Sequence, residues 1–253
     1  MTKRHWDFYL CQVDGELASI FLDLSLLDRA PVAALPHSAY IRLQLRAPGA
    51  DGLPGPEEAT FLGELEKQLD ARLCASRGTL LVGSVTSAGC RDYYYYLKDG
   101  ADWPERVAAA MQSAGDYQYD CGSRWEPDWT TYADFLFPSD IELQGMGNRS
   151  ICVSLQEKGD PLTEPREILH WISLPSDVAR QSYIDWAVAL GFSVREVSAN
   201  AGDLPFGLCL SRIDLPSFAA IDDVTLPLYE KAIELSADYE GWETHAVQAT
   251  GES

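Results

Sequence analysis

Hydrophobic and polar residues alternate in short segments at the start of the chain and recur at helical spacing further on. Alternation over residues 6–13 and 18–24, around Asp14-Gly15, predicts a β-hairpin, because such dipeptides favour tight two-residue turns. Leucines and a phenylalanine spaced three and four apart between Glu57 and Ala75 predict an amphipathic helix. The first half therefore combines strands with helices.

The elements that follow the hairpin come in the order β-α-β-β-α-β, which is the ferredoxin-like plan. Strands are predicted at residues 40–46, 79–86, 90–97 and 117–125, and helices at 57–75 and 103–113. One of these strands contains four consecutive tyrosines, 93–96. Because neighbouring side chains on a strand face opposite ways, we expect two tyrosines on each face, in packing roles.

The second half repeats the same order after a predicted linker at residues 126–139 and a helix at 140–158. Strands are expected at 169–174, 192–197, 206–213 and 239–247, with helices from Ser176 to Gly191 and over 217–236. We predict an α+β protein with two tandem ferredoxin-like sandwich domains, the first preceded by a β-hairpin. The predicted domains are residues 1–130 and 138–253.

The net charge of the chain limits the kinds of molecule that it can bind. The 253 residues include 39 acidic side chains against 19 lysines and arginines, for a net charge of −20. Nucleic-acid binding relies on a basic stripe, which this sequence lacks, so direct nucleic-acid binding is not expected. The apolar runs are too short to cross a membrane, and residues 1–14 lack the features of a signal peptide. We expect a cytoplasmic protein whose partner is a basic protein.

No catalytic, metal-binding or cofactor-binding signature occurs in the sequence. The six cysteines are scattered without close pairs, and the four histidines lie far apart, so neither set has zinc-ligand spacing. His170, a few residues after Arg166, is a candidate polar site, although a structural histidine is the favoured interpretation. The sequence predicts a non-enzymatic protein without metal or cofactor, and it fixes no oligomeric state.

Short motifs in both halves resemble known families. Residues 159–160, 165–166, 170–171, 191–192 and above all Tyr239-Glu240-Gly241-Trp242-Glu243-Thr244 resemble the ribonuclease E inhibitor protein B family, RraB, over about residues 138–248. Residues 6–9, 51–53, 57–58 and 91–96 resemble the bacterial domain of unknown function 695. The resemblance implies a regulator that binds an RNA-processing endonuclease through protein contacts and lowers its activity. Glu243 departs from the family pattern, which has glycine there, and residues 246–253 are near neutral where the family has an acidic tail.

Acidic side chains concentrate near the C-terminal end of the sequence. Between Asp214 and Ser253 there are nine carboxylates and the single cation Lys231. We predict one docking surface for an arginine-rich segment, formed by acids of the last helix together with aromatic and acidic residues of the last strand. Its residues are Asp223, Glu230, Glu234, Tyr239, Glu240, Trp242 and Glu243.

Two other functions remain open from the sequence. Acidic surfaces suit immunity or antitoxin proteins that neutralise a cognate toxin equally well. The second alternative is an enzyme of an unrecognised type, which would need a polar pocket between the two domains. The ribonuclease regulator is the first hypothesis because the resemblance supports it.

Overall fold

In a computed structural model, the chain forms two compact α+β units that divide between Glu142 and Leu143. The structure describes residues 3–75, 78–112, 114–199 and 201–248. Each unit contains one antiparallel sheet. Two predicted features lie outside the described residues: the end of a helix at Ser113, and residues 249–253 of the second domain.

Unit 1 contains a six-stranded sheet with the order β1-β2-β4-β5-β3-β6. Strands β3 to β6 and their two helices follow the predicted β-α-β-β-α-β order, and the hairpin extends the sheet beside β4. Its elements are β1 (Trp6–Val13), β2 (Glu16–Asp23), β3 (His37–Gln44), α1 (Pro56–Leu73), β4 (Thr79–Ser87), β5 (Cys90–Leu97), α2 (Trp103–Met111) and β6 (Tyr119–Trp125).

The hydrophobic core of unit 1 lies between the sheet and helices α1 and α2. Ile41 and Leu43 of β3 pack there with Leu65 and Leu69 of α1. Of the four tyrosines, Tyr93 and Tyr95 belong to this core, whereas Tyr96 is buried on the other face against Trp129. The alternation predicted for these tyrosines is confirmed.

The opposite face of this sheet is partly covered by the segment that the sequence suggests as a linker. A helical turn at Thr131–Leu136 follows Trp129 there, and the Trp129 ring stacks on Tyr96 with centroids 3.9 Å apart. Tyr132 donates a hydrogen bond to the Asp23 carbonyl oxygen at 2.8 Å. These residues are therefore an ordered part of unit 1, because their large aromatic side chains bury hydrophobic surface that a linker would leave exposed.

Unit 2 repeats the β-α-β-β-α-β order after a first helix, and its four-stranded sheet has the order β10-β7-β9-β8. Ser139 and Glu142 cap the first helix reciprocally, and the Ser176 hydroxyl accepts from the Ala179 amide at the start of α4. The elements are α3 (Asp140–Glu157), β7 (Arg166–Leu174), α4 (Asp177–Ala189), β8 (Ser193–Ala199), β9 (Phe206–Asp214), α5 (Ile221–Glu234) and β10 (Asp238–Glu243).

All three helices of unit 2 contribute to the hydrophobic layer on one face of its sheet. Tyr183 of α4 and Leu228 of α5 pack with Ile172 of β7, and Cys152 of α3 packs with Ile168. Among the described residues of this unit, no helix covers the other face. No helix in the described parts of the chain is both long and apolar enough to span a membrane.

Candidate functional site

The four β10 residues of the predicted docking surface lie on two opposite faces of the sheet. The pairing of β10 with β7 shifts register between Tyr239 and Gly241, and Gly241 has a φ of +120°. Such a bulge inserts one residue, and glycine accommodates this φ without the steric strain of a side chain. As a result Tyr239 and Trp242, three residues apart, both face the helices, while Glu240 and Glu243 face away.

The exposed position predicted for Tyr239 and Trp242 is wrong. Both side chains are buried, at 5% relative exposure each. The Tyr239 hydroxyl lies 2.8 Å from Nδ1 of His170, and the Trp242 indole donates to Oδ1 of Asn148 at 2.8 Å. Their hydrogen-bonding groups are used inside unit 2, so neither ring can stack on a partner's arginine.

Asn148 connects α3, α5 and β10. Its side-chain nitrogen donates to Asp222 and to Thr225 of α5, both at 2.6 Å, while its oxygen accepts from Trp242. A buried amide that uses both its donors and its acceptor fixes the spacing of the elements around it. No local sequence pattern indicates Asn148, because its partners Asp222 and Trp242 lie 74 and 94 positions away.

The candidate polar pair, Arg166 and His170, is separated into two buried clusters. Arg166 donates to Asp160 at 2.5 Å, whereas His170 contacts Tyr239 and packs edge-on against Phe192. Arg166 is 5% exposed and His170 is completely buried. The two side chains therefore do not form a shared site that a ligand could reach.

Burial lowers the pKa of His170 to about 3, with a smaller contribution from the nearby Arg212 charge. Because the unfolded state keeps a pKa near 6.5, it takes up a proton first as the pH falls. We expect the free energy of unfolding to decrease between pH 6.5 and 4, on the order of 1 kcal/mol per pH unit from this group. Urea unfolding of His170→Gln across this range should show a flatter dependence, and an unchanged slope would contradict the assignment.

The face of the sheet opposite the helices carries a cluster that we call the acidic open face. Trp171 lies on it, partly exposed, and its indole donates to Glu243 at 3.3 Å. Glu240 accepts from the Ser173 hydroxyl, and Glu196 lies directly opposite Cys209 of β9. The acidic open face consists of Glu167, Trp171, Arg195, Glu196, Glu240 and Glu243.

The buried thiol of Cys209 marks the centre of this face, since Cys209 pairs with Trp171 across β7 and β9. Burial raises the pKa of Cys209, and the charges of Glu196, Glu243 and Glu167 raise it further, whereas Arg195 opposes them. The carboxylates of three different strands are thus close enough to act on one atom. Four acids and one arginine give this face a negative charge.

The acids of α5 form a different surface. Val224, Leu228 and Ala232 of this helix pack inward on the sheet, so that the exposed side chains of Asp223, Glu230 and Glu234 point away from it, on the helix layer. Glu234 also pairs with Lys231 at 2.8 Å. The prediction of one surface that combines α5 with β10 is therefore wrong, because the sheet and its core separate these acids from Glu240 and Glu243.

Each unit of the chain matches the model of a known protein family. Residues 4–137, more than half of the chain, match the family of unknown function DUF695. The chain belongs to the DUF695 family. Residues 146–244 match a second family model, the regulator of ribonuclease activity B, RraB. The family resemblances expected from the sequence are confirmed, with the DUF695 domain in unit 1 and the RraB domain in unit 2.

Other comparisons add less. No curated protein matches the chain significantly. A putative glycine cleavage system transcriptional repressor is 8% identical, with 84% of this chain and 98% of that chain covered and a TM-score of 0.25. A protein from Galdieria sulphuraria is 11% identical with the same coverage and a TM-score of 0.23. Scores this low do not establish a shared fold.

Some residues of the acidic open face could have been found from the sequence of the RraB domain. Glu167, Leu169 and Trp171 alternate with Ile168 and His170, and this period of two places the first three on one face of a strand. The strand was predicted to begin only at Leu169, which left Glu167 out. In the part of the chain that the structure describes, no three acidic, histidine or cysteine side chains are grouped as metal ligands would be.

Proposed function

We propose that the protein binds a ribonuclease E-type endonuclease through its RraB domain and lowers that enzyme's activity. The match of residues 146–244 to the regulator of ribonuclease activity B is the observation that carries this proposal. In this proposal, the protein acts in the cytoplasm by protein contact and catalyses no reaction itself. The six cysteines, all free in the structure, are consistent with a reducing compartment.

The acidic open face is the proposed contact surface. It combines the partly exposed Trp171, which is hydrogen-bonded to Glu243, with three further carboxylates on the same face, an arrangement that suits a basic segment of the partner. An arginine can pair with a carboxylate and also lie over the indole face. Charged groups at the rim of an interface mainly accelerate association, so binding should weaken as salt screens them.

The two acidic surfaces of unit 2 provide a matched test. In Glu240→Lys/Glu243→Lys, two charges on the open face are reversed, and in Glu230→Lys/Glu234→Lys the same change is made on α5. We expect the first variant to bind the purified endonuclease about tenfold or more weakly, since two attractive contacts become repulsive. Affinity would be measured at low and high salt, alongside cleavage of an RNA substrate.

The α5 variant is the control, and it should bind and inhibit like the wild-type protein. All four substituted side chains are exposed, so thermal unfolding should change little in either variant. Loss of binding in the α5 variant alone would move the interface to the helix layer. Equal binding by all three proteins would reject a charge-dependent interface.

The immunity hypothesis predicts a different outcome of the same experiment. A protein that neutralises a toxin would leave ribonuclease cleavage unaffected and would protect cells from a basic toxin through the same acids. Such a result would reject the ribonuclease proposal.

A further inference from the structure

The outer face of the unit 1 sheet contains an open cleft of about 710 Å³ in which two arginines meet aromatic side chains. Its floor is formed by β3, β5 and β6, and one wall is the ordered segment after Trp129. The lining residues that matter are Tyr40, Arg42, Asp92, Tyr94, Arg124 and Phe135. All of them belong to the DUF695 domain.

Buried carboxylates hold both arginines in place. Arg42 forms a bidentate salt bridge with Asp92, its cross-strand neighbour: Nε donates to Oδ1 at 2.7 Å, and Nη2 donates to Oδ2 at 2.6 Å. The Nε of Arg124 donates to Glu126 at 2.7 Å, and its Nη2 donates to Thr131 at 3.1 Å. Fixing a guanidinium in this way removes the entropy that a mobile arginine would lose on binding a ligand.

Each guanidinium retains donors for a ligand. The side chains of Arg42 and Arg124 are 54% and 70% exposed, whereas those of Asp92 and Glu126 are only 9% and 7% exposed. Neither arginine uses its Nη1 in a hydrogen bond to any residue that the structure describes. The solvent side of the cleft therefore presents N–H donors, with the carboxylates of Asp92 and Glu126 beneath them. One exposed carboxylate lies at the edge: Asp120, opposite Arg42 on β6, accepts a hydrogen bond from the Tyr40 hydroxyl at 2.9 Å.

Aromatic rings supply the rest of the cleft. The half-buried ring of Tyr94 meets Phe135 edge-on with centroids 5.9 Å apart, and Phe135 is 37% exposed. Tyr40 lies over Gly122 of β6, where an added Cβ would come within 2.9 Å of the ring. Glycine at this position therefore lets the Tyr40 ring lie flat across the neighbouring strand.

We infer that this cleft binds a small aromatic anion, with its carboxylate or phosphate group on Arg42 and Arg124 and its ring against Tyr40, Tyr94 and Phe135. Guanidinium forks match planar oxyanions, and partly exposed rings offer a surface for stacking. A chain with a net charge of −20 repels anions in general, so saturable anion binding requires a built site such as this one.

Calorimetric titration of the full chain with benzoate, phenyl phosphate and inorganic phosphate tests the inference. We expect saturable binding of benzoate or phenyl phosphate, and the tighter of the two identifies the preferred oxyanion. Inorganic phosphate should bind more weakly than phenyl phosphate because it makes no ring contact. If inorganic phosphate binds as tightly as phenyl phosphate, or if neither aromatic probe binds, the inference is wrong.

Variants locate the binding in the cleft. Arg124→Gln removes an exposed guanidinium and should weaken binding about tenfold or more, as expected for the loss of a charge-assisted hydrogen bond. Arg42→Gln should do the same, provided that its thermal unfolding shows a folded protein. Arg29→Gln replaces an exposed arginine outside the cleft and should bind like wild type. Equal weakening by Arg29→Gln would reject the cleft as the site.

This test is independent of the ribonuclease proposal. The cleft lies in unit 1, and the acidic open face lies in unit 2. The variant Glu240→Lys/Glu243→Lys should bind the aromatic anion normally.

Discussion

Replacing Trp129 with alanine is expected to lower the free energy of unfolding of unit 1 by about 3 to 5 kcal/mol. The Trp129 side chain is completely buried and stacks on Tyr96 at 3.9 Å with an interplanar angle of 8°. Its indole also donates to the Leu35 carbonyl oxygen at 3.0 Å. The substitution leaves a large cavity and removes that donor, so both packing and hydrogen bonding are lost.

Trp125→Ala is the matched control, because Trp125 lies four residues earlier and is 65% exposed. Its truncation should cost under about 1 kcal/mol. Urea unfolding followed by circular dichroism, with hydrogen exchange of β3 and β5 amides, would attribute the loss to unit 1. A loss near that of the control would mean that the segment after Trp125 behaves as a linker after all.

Replacing Arg166 with methionine is expected to destabilise unit 2 by about 3 to 5 kcal/mol, because it leaves the buried Asp160 carboxylate without its cation. The side chains of Arg166 and Asp160 are 5% and 0% exposed. Asp160 also accepts from the amides of Leu162 and Val247, both at 2.8 Å. Adding Asp160→Asn to Arg166→Met should recover part of the loss, since the unpaired charge is removed.

The pH dependence provides a second readout for this pair. Burial alone would raise the pKa of Asp160, but the amides of Val247 and Leu162 and the Arg166 charge outweigh it and lower the pKa. The ionised pair thus stabilises the fold above the unfolded pKa of about 3.8, and this contribution is lost as the pH falls through the lower folded pKa. In Arg166→Met the folded pKa of Asp160 should rise, because the Arg166 charge is removed, and the free energy of unfolding should therefore decrease less as the pH falls.

Arg195→Met is the control for Arg166→Met. Arg195 pairs with Glu167 on the surface, and their side chains are 52% and 36% exposed. Exposed pairs contribute at most about 1 kcal/mol, so urea unfolding should change little. Equal effects of the two methionine variants would contradict a special role for the buried pair.

Local patterns predicted most of the secondary structure. The bounds of β5 were predicted to the residue, and Ser176 was recognised as the cap of α4, because both depend on neighbouring residues. The last helix was predicted from Ser217 and begins at Ile221, and the last strand was predicted to Val247 and ends at Glu243. Ends are harder to predict, since capping and pairing with distant residues decide where an element stops.

The candidate docking residues show which properties depend on residue type and which depend on distant contacts. All five acids of the predicted docking surface are exposed, which agrees with the rule that carboxylates rarely lie buried without a partner. The aromatic residues Tyr239 and Trp242 were assigned to the same surface because they neighbour those acids in the sequence. Their partners, His170 and Asn148, come from β7 and α3, and no local pattern indicates those contacts.

The order of the elements can be predicted from the sequence alone, as can the faces of the regular strands, the acidic character and the two family resemblances. All of these depend on residue types and on spacings within one element. The folded structure is needed to see the bulge at Gly241, the packing of Trp129 and the salt bridge between Arg42 and Asp92. These depend on register and on contacts between residues far apart in the chain, where the free energy of burial outweighs local preference.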